Sequence, residues 1–323
     1  MPERLEPTNE GIRRAAAYLA EGQLVAFPTE TVYGLGADAT NSLAIRRVYE
    51  AKGRPSHNPL IVHVPDAEAA RRWAAQWPRG AELLAAHFWP GPLTLVVPAA
   101  DGLAPAALAN GTTVGLRAPD HPVALALLRA SGLPLAAPSA NASGTLSPVC
   151  AEHVLSSLGD SLAAVLDGGR CRVGIESTVV DCTGDVPRIL RPGIIGRDAI
   201  ERVLGLDVPQ PEINAGRRVR PLLSPGLMDR HYAPRIPLRV VSREQLAEAP
   251  TTARRVFLAE GTVNPRETDH VLPADSVEFA GQLYAVLWEL QDSGAAEIWM
   301  EKLPASEEWA ALRDRLRRAS TPP

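Results

Sequence analysis

Lysine is almost absent from this chain. Of 33 lysines and arginines in 323 residues, only Lys52 and Lys302 are lysine. Cysteine is also scarce. Cys150, Cys171 and Cys182 are odd in number and form no C-x-x-C pair, which argues against both a disulfide framework and a zinc cluster. Aromatic residues make up 5% of the chain and the net charge is −4, so a broad basic face with stacking rings, of the kind that grips nucleic acid tightly, is not expected. No apolar run approaches the roughly 18 residues that span a bilayer, and Met1-Pro2-Glu3-Arg4 does not open a signal pattern. These absences predict a cytoplasmic protein with reduced thiols and no membrane contact. Familiar motifs are missing too: no G-x-x-x-x-G-K-[ST] loop, no G-x-S-x-G elbow, and no carboxylate pair of glycosidase type.

What is present is punctuation. Thirty prolines and 25 glycines separate short apolar runs. A helix is expected from Thr8 to Gly22, with Ile12, Ala16 and Leu19 on one face, then a strand over 24–27 and a polar loop from Thr29 to Gly36. Asn41 suits the N-cap of a helix carrying Leu43, Ile45, Val48 and Tyr49. Lys52 follows in a Gly/Pro-rich loop, and a strand runs from Leu60 to Val64. Helices fit 66–76, 80–88, 120–131, 150–158 and 197–204; strands fit 93–97, 113–117, 134–137, 163–166, 177–182 and 187–190. The alternation predicts an α/β chain with one large twisted sheet over 8–205. Prolines and the Arg217, Arg218, Arg220 cluster mark a linker over 206–235. A smaller α/β domain is expected over 236–323, ending in an amphipathic helix at 305–318 with Trp309, Leu312 and Leu316 inward and arginines outward.

Polar, glycine-rich segments recur beside the expected strand ends: 29–36, 52–58, 112–117, 138–144, 175–178 and 191–193. Small hydroxyls and amides next to glycine suit close backbone approach to an anion. Lys52, Arg54, Arg117 and Arg191 add four cations, and lysine supplies a compact rotatable charge where the planar guanidinium does not fit. A cation-rich, carboxylate-poor cleft predicts a polyanionic ligand and catalysis by positioning and charge neutralisation. A nucleoside triphosphate with a carboxylate fits.

Several ordered segments closely resemble the threonylcarbamoyl-AMP synthases, the long form of the YrdC-like family. They are Pro28-Thr29-Glu30-Thr31-Val32-Tyr33-Gly34-Leu35, Lys52-Gly53-Arg54 with Asn58-Pro59-Leu60, and Phe88-Trp89-Pro90-Gly91-Pro92-Leu93-Thr94. Pro138-Ser139-Ala140-Asn141, Glu176-Ser177-Thr178-Val179-Val180-Asp181, Arg191-Pro192-Gly193, Ser224-Pro225-Gly226 and His231-Tyr232-Ala233-Pro234 continue the match. The resemblance implies a large mixed-sheet YrdC-like domain followed by a smaller Rossmann-like α/β domain. It implies that L-threonine, bicarbonate and ATP, with Mg²⁺ on the phosphates, give threonylcarbamoyl-AMP and pyrophosphate. The product would then pass to a tRNA threonylcarbamoyl transferase machinery, which modifies the adenosine next to the anticodon.

By motif position, Thr31, His63, Arg117, Ala137 and Ser177 are implied as threonine contacts, Ala137 through its backbone only. Arg54, Asn58, Thr113, Ser139, Asn141, Ser147, Arg191 and Tyr232 are implied as ATP contacts, and Lys52 as the cation between the two ligands. Tyr232 is implied to cover the nucleotide as part of a lid. Glu30 would orient Lys52 or solvate a loop. No residue is implied as a resident metal ligand. Two other readings remain: an RNA-binding module of the same fold, and a carbamoyl-adenylating transferase, whose larger relatives carry acylphosphatase-like and zinc-finger segments not found in this sequence.

Overall fold

The structure is a computed structural model and describes residues 1–209, 231–260 and 265–321. The Arg217–Arg220 cluster, Ser224-Pro225-Gly226 and most of the expected linker lie outside the described residues.

The chain opens with β1 (Glu3–Leu5), α1 (Asn9–Ala20), β2 (Val25–Phe27), β3 (Gly34–Asp38), α2 (Ser42–Lys52) and β4 (Ile61–His63). It continues through α3 (Ala67–Arg71), α4 (Arg79–Phe88), β5 (Leu93–Pro98), β6 (Thr113–Arg117), α5 (Pro122–Ser131) and β7 (Leu135–Ala136). α6 (Ala151–Leu158), β8 (Ala164–Leu166), β9 (Thr178–Asp181), β10 (Arg188–Arg191) and α7 (Arg197–Leu204) complete the first unit. Its ten strands form one mixed sheet in the order β1-β8-β2-β3-β7-β4-β6-β5-β9-β10. Helices α1 and α5 pack against each other, with Ile12, Leu19, Leu127 and Leu128 in one apolar cluster beside Val25, Phe27 and Leu166.

The second unit holds β11 (Leu238–Val241), α8 (Arg243–Ala247), β12 (Ala253–Leu258), β13 (His270–Leu272), α9 (Ser276–Asp292), β14 (Glu297–Glu301) and α10 (Ala310–Ala319). Its four strands are all parallel, in the order β11-β14-β12-β13. Parallel strands need helical crossovers, and the alternation of strand and helix supplies them. The larger apolar cluster is shared: Leu283, Leu287 and Trp288 of α9 join Val149, Val154 and Ile175 of the first unit.

Four details depart from the sequence-based expectation. Gly34–Asp38 is a strand, taking in residues 34–36 that were expected to end the loop, because its backbone pairs with both β2 and β7. The helix expected at 66–76 is only Ala67–Arg71. Lys52 is the last residue of α2, buried, and not in a loop; Gly53 ends the helix in the left-handed region at φ 58°. In α10, Arg315 and Arg318 are buried, with Arg315 fully so, against the outward placement that amphipathicity suggested.

Candidate active site

Strand register places the first two functional side chains. β4 and β6 run parallel with His63 opposite Arg117, so the two emerge side by side at the carboxyl ends of their strands. The ends of parallel strands in α/β sheets are where ligand crevices form. The 29–32 turn closes over them. Thr29 Oγ1 accepts from Thr31 N and Val32 N at 3.2 Å each and donates to Val32 O at 2.6 Å. This turn presents Thr31, whose Oγ1 accepts from Arg117 Nη2 at 2.9 Å. Glu30 is buried, with Oε2 2.8 Å from Arg117 Nη2. It therefore faces Arg117, and neither orients Lys52 nor solvates a loop, the two roles expected from the sequence.

The opposite wall is built by close backbone approach. A Cβ on Gly193 would sit 2.3 Å from Thr178 N, so only glycine lets 191–193 lie against 177–178. Arg191 then donates to Ser177 O from Nε at 3.1 Å and from Nη2 at 2.9 Å, and to Ser177 Oγ at 3.1 Å. Ser177 Oγ also lies 2.8 Å from Thr94 Oγ1. Glu176 accepts from Ser147 Oγ at 2.6 Å and from Arg315 Nε at 2.8 Å. Burial alone would raise its pKa, but Arg315 and Arg191 hold the carboxyl below the usual range.

Lys52 stands behind the 139–141 segment. Its Nζ donates to Ser139 O at 2.6 Å, Asn141 O at 2.5 Å and Asn141 Oδ1 at 3.4 Å. Burial, with Arg54 nearby, pushes its pKa well below the ordinary lysine value. Arg54 is also buried and its pKa is pushed down to about 10; it donates to Asn58 O and Pro59 O. Burial beside Arg117 drives His63 to about 3, so its imidazole is neutral at physiological pH.

These walls enclose a cavity of about 50 Å³. Of the expected residues, Thr31, Arg54, His63, Arg117, Ala137, Ser139, Ser177, Arg191 and Tyr232 line it. Lys52 and Asn141 back the Ser139 wall, and Ser147 acts through Glu176. Asn58 is buried with neither side-chain polar atom paired, and its carbonyl serves Arg54 and Tyr49. Thr113 opens β6, half-buried, and is not part of the wall. His63 Nδ1 and Arg117 Nε, at the cavity, and the Asn58 amide behind it are buried polar atoms without protein partners, and so are open to water or a ligand.

This geometry can be set beside known proteins. The family described as "Telomere recombination" matches residues 17–193, and the family described as "Threonylcarbamoyl-AMP synthase, C-terminal domain" matches residues 195–321. The chain is 41% identical to the threonylcarbamoyl-AMP synthase of Bacillus subtilis, over 98% of this chain and 95% of that relative. The chain belongs to the threonylcarbamoyl-AMP synthase family. A crystal structure of Pyrococcus abyssi Sua5 complexed with L-threonine superposes with a TM-score of 0.90 at 37% identity, covering 99% of this chain and 97% of that one. A shorter threonylcarbamoyl-AMP synthase, from Vibrio vulnificus, is 36% identical over 159 residues, which is 49% of this chain and 86% of that relative.

Sequence reasoning had not named Glu176 and His231 as ligand-facing, although both lie inside motifs it had noted; both line the cavity. Nor had it found Tyr284 and Arg315, which reach Glu176 from the second unit. No short motif surrounds either residue, and one arginine in an arginine-rich helix carries no local signal.

Proposed function

We propose that this protein makes threonylcarbamoyl-AMP from L-threonine, bicarbonate and ATP, releasing pyrophosphate. The observation that carries the reading is the cavity itself. Arg54, Arg117 and Arg191 line it with a neutral His63, against one carboxylate, Glu176. The fold it sits in is that of a relative crystallised with L-threonine.

In this reading Arg117 and Ser177 hold the threonine carboxylate, and the unpaired Nδ1 of His63 accepts a hydrogen bond from the amine or hydroxyl. The amine attacks the bicarbonate carbon, water leaves, and a carbamate anion remains. A carbamate oxygen then attacks the α-phosphorus of ATP as the bond to pyrophosphate breaks. Two anions must meet, so the barrier falls chiefly through positive charge: Arg54 and Arg191 at the phosphates, with Lys52 acting from behind the Ser139–Asn141 wall and not from between the ligands. Ser139, Asn141, Asn58, Ser147 and Tyr232 belong to the nucleotide side, and Thr113, outside the wall, would reach a nucleotide only beyond the present cavity.

Mg²⁺ enters as part of the ATP substrate. Among the described residues no cluster of three or more His, Cys, Asp or Glu side chains could hold a metal ion, and Glu176 is already engaged by Ser147 and Arg315. Phosphate oxygens and water are the natural ligands for such an ion.

Sites for ligands of drug size run to about 300–1,000 Å³, so a cavity of about 50 Å³ must open before ATP enters. His231 and Tyr232 are its roof, and closing them over the product would keep water from the mixed anhydride. Delivery of that product to a tRNA-modifying transferase completes the reading. Free thiols at all three cysteines, and the absence among described residues of any helix long and apolar enough to cross a membrane, support a cytoplasmic setting.

The test is product analysis by mass, with ATP, Mg²⁺, bicarbonate and threonine present and each omitted in turn. A product of threonylcarbamoyl-AMP mass that needs all three reactants is expected. ATP binding without such a product would refute the reading and point to another acceptor.

A further inference from the structure

Arg315 is the most unusual side chain outside the cavity wall. It belongs to α10 of the second unit, yet it is fully buried. Its guanidinium spans three separate segments that shape the site. Nε donates to Glu176 Oε2 at 2.8 Å and Nη2 to Glu176 O at 3.3 Å, next to Ser177. Nη1 donates to Pro192 O at 2.9 Å, next to Arg191, and lies 3.2 Å from Asp314 Oδ2. Its Cζ lies over the Tyr232 ring, 5.2 Å from the centroid.

The roof is hung from the same helix. His231 N donates to Arg318 O at 3.3 Å, and Tyr232 stacks on Tyr284 of α9 at 6.1 Å. Tyr232 sits at φ 62°, a region that side-chain-bearing residues hold only when their surroundings enforce it.

Arg315 is not needed merely to join the two units. Trp288 Nε1 donates to Ser147 O at 3.1 Å, and its ring stacks on His153 at 4.6 Å. Gly174, at φ 75°, brings its Cα so near α9 that a Cβ would stand 2.3 Å from Ala280 O. Nor does Arg315 belong to the bond-making chemistry. The Vibrio vulnificus relative carries the same activity in its name, and a protein of which 86% is spanned by 159 matched residues has no room for a second unit of this kind.

We propose that Arg315 is a positioning residue. It locks the Glu176–Ser177 wall, the Arg191–Gly193 wall and the Tyr232 roof into one arrangement that receives the nucleotide, and by this the second unit governs ATP binding. This rests on the synthase reading given above. A fork that grips three segments through one rigid plane cannot be replaced by lysine, which is a point charge on a flexible stem.

The experiment uses the full chain with Arg315→Gln, Arg315→Lys and, separately, Glu176→Gln, which weakens the same pair without touching α10. Hydrogen exchange is read first, without substrates. Amides at 231–233 and 176–178 are expected to exchange about tenfold faster or more in all three variants, while those of β5 and β6 keep their rates. Pyrophosphate release is read next. The KM for ATP is expected to rise about tenfold or more, toward the roughly hundredfold that displacing positioning groups by an ångström can cost, and the threonine KM to rise less, because Arg117 is not held by Arg315 and only Ser177 among the threonine contacts sits on that wall. Lysine is expected to restore only part of the loss.

Unchanged exchange at 231–233 would overturn the proposal. So would a fall in maximal rate at unchanged ATP KM, because that is what a mere loss of folded protein gives. Should Arg315→Gln fail to fold, Glu176→Gln decides by the same two readouts. Should the unaltered protein make no threonylcarbamoyl-AMP, the synthase reading falls, and the exchange measurement still decides whether Arg315 holds the roof.

Discussion

Replacing Arg117 by alanine separates what this residue does for the fold from what it does for threonine. Arg117 is 4% exposed, with Nη2 2.9 Å from Thr31 Oγ1 and 2.8 Å from Glu30 Oε2. Glu30 is 1% exposed, so the substitution strands a carboxylate in the interior. Breaking a buried pair by removing one partner costs about 3–5 kcal/mol. In the proposed assignment the ligand would lose something different: two charge-assisted hydrogen bonds to its carboxylate, each about 1.5–3 kcal/mol. At about 1.4 kcal/mol per factor of ten, the threonine KM should rise roughly 10²- to 10⁴-fold. The two losses come apart in the double variant Arg117→Ala/Glu30→Gln. Neutralising Glu30 removes the stranded charge, so most of the stability returns while threonine affinity does not. Urea unfolding followed by circular dichroism reads the first quantity. Pyrophosphate release with threonine varied at saturating ATP reads the second, with the ATP KM held within about threefold. Equal rises in the KM of threonine and ATP would refute the assignment of Arg117 to the threonine carboxylate. Recovery of threonine affinity in the double variant would refute it as well, because the defect would then lie in Glu30.

Lys52→Ala is expected to lower threonine-dependent pyrophosphate release by roughly 10²–10³, the loss typical of one preorganised donor in a dry site. Near-normal release would remove Lys52 from the mechanism. Acid sensitivity should begin earlier than carboxylates alone would give, because His63 is held at about 3 in the fold against an ordinary 6.5. The neutral imidazole belongs to the folded state, so its contribution is fully present above pH 6.5 and is lost as pH falls from there toward about 3. Between pH 7 and 5 this amounts to about 2 kcal/mol, at about 1.4 kcal/mol per pH unit. His63→Asn should flatten that part of a urea-unfolding profile, and an unaltered slope would show that His63 does not carry it.

The strands and helices were legible where one periodicity ruled. α1, α4 and the 113–117 strand follow their apolar spacing, and Asn41 caps α2 with its Oδ1 3.0 Å from Leu43 N. Residues 34–36 were read as loop because glycines and polar neighbours disguise a strand, Gly34–Asp38, whose second partner, β7, is distant in sequence. β1 carries only three residues and exists because β8 offers it a parallel edge. The cavity was legible in its local motifs, since nine of the residues read from them line it. Its cross-unit half was not. Arg315 lies 139 positions from Glu176, and that distance is bridged by packing alone, with no spacing or propensity to announce it.

The charge arrangement explains why so many cations are tolerated in so small a space. Burying a cation is costly unless it is paired, and two of these are met by neutral oxygens instead. Lys52 is held by two backbone carbonyls and an amide oxygen, and Arg54 by the carbonyls of Asn58 and Pro59. Carbonyl dipoles fix direction without cancelling charge. The cost is visible in the downward pKa displacement of Lys52, Arg54 and Arg191, in each case chiefly through burial. A carboxylate at each position would remove that cost and also remove the attraction for a polyanion. Where a carboxylate does appear, beside Arg117 and beside Arg315, it fixes a side chain that must keep one orientation. In the proposed reading, Lys52 and Arg54 are therefore met by neutral oxygens on the nucleotide side, and carboxylate pairs stand where geometry is to be kept. That division follows from positioning and charge neutralisation as the sources of rate, and covalent catalysis would not require it.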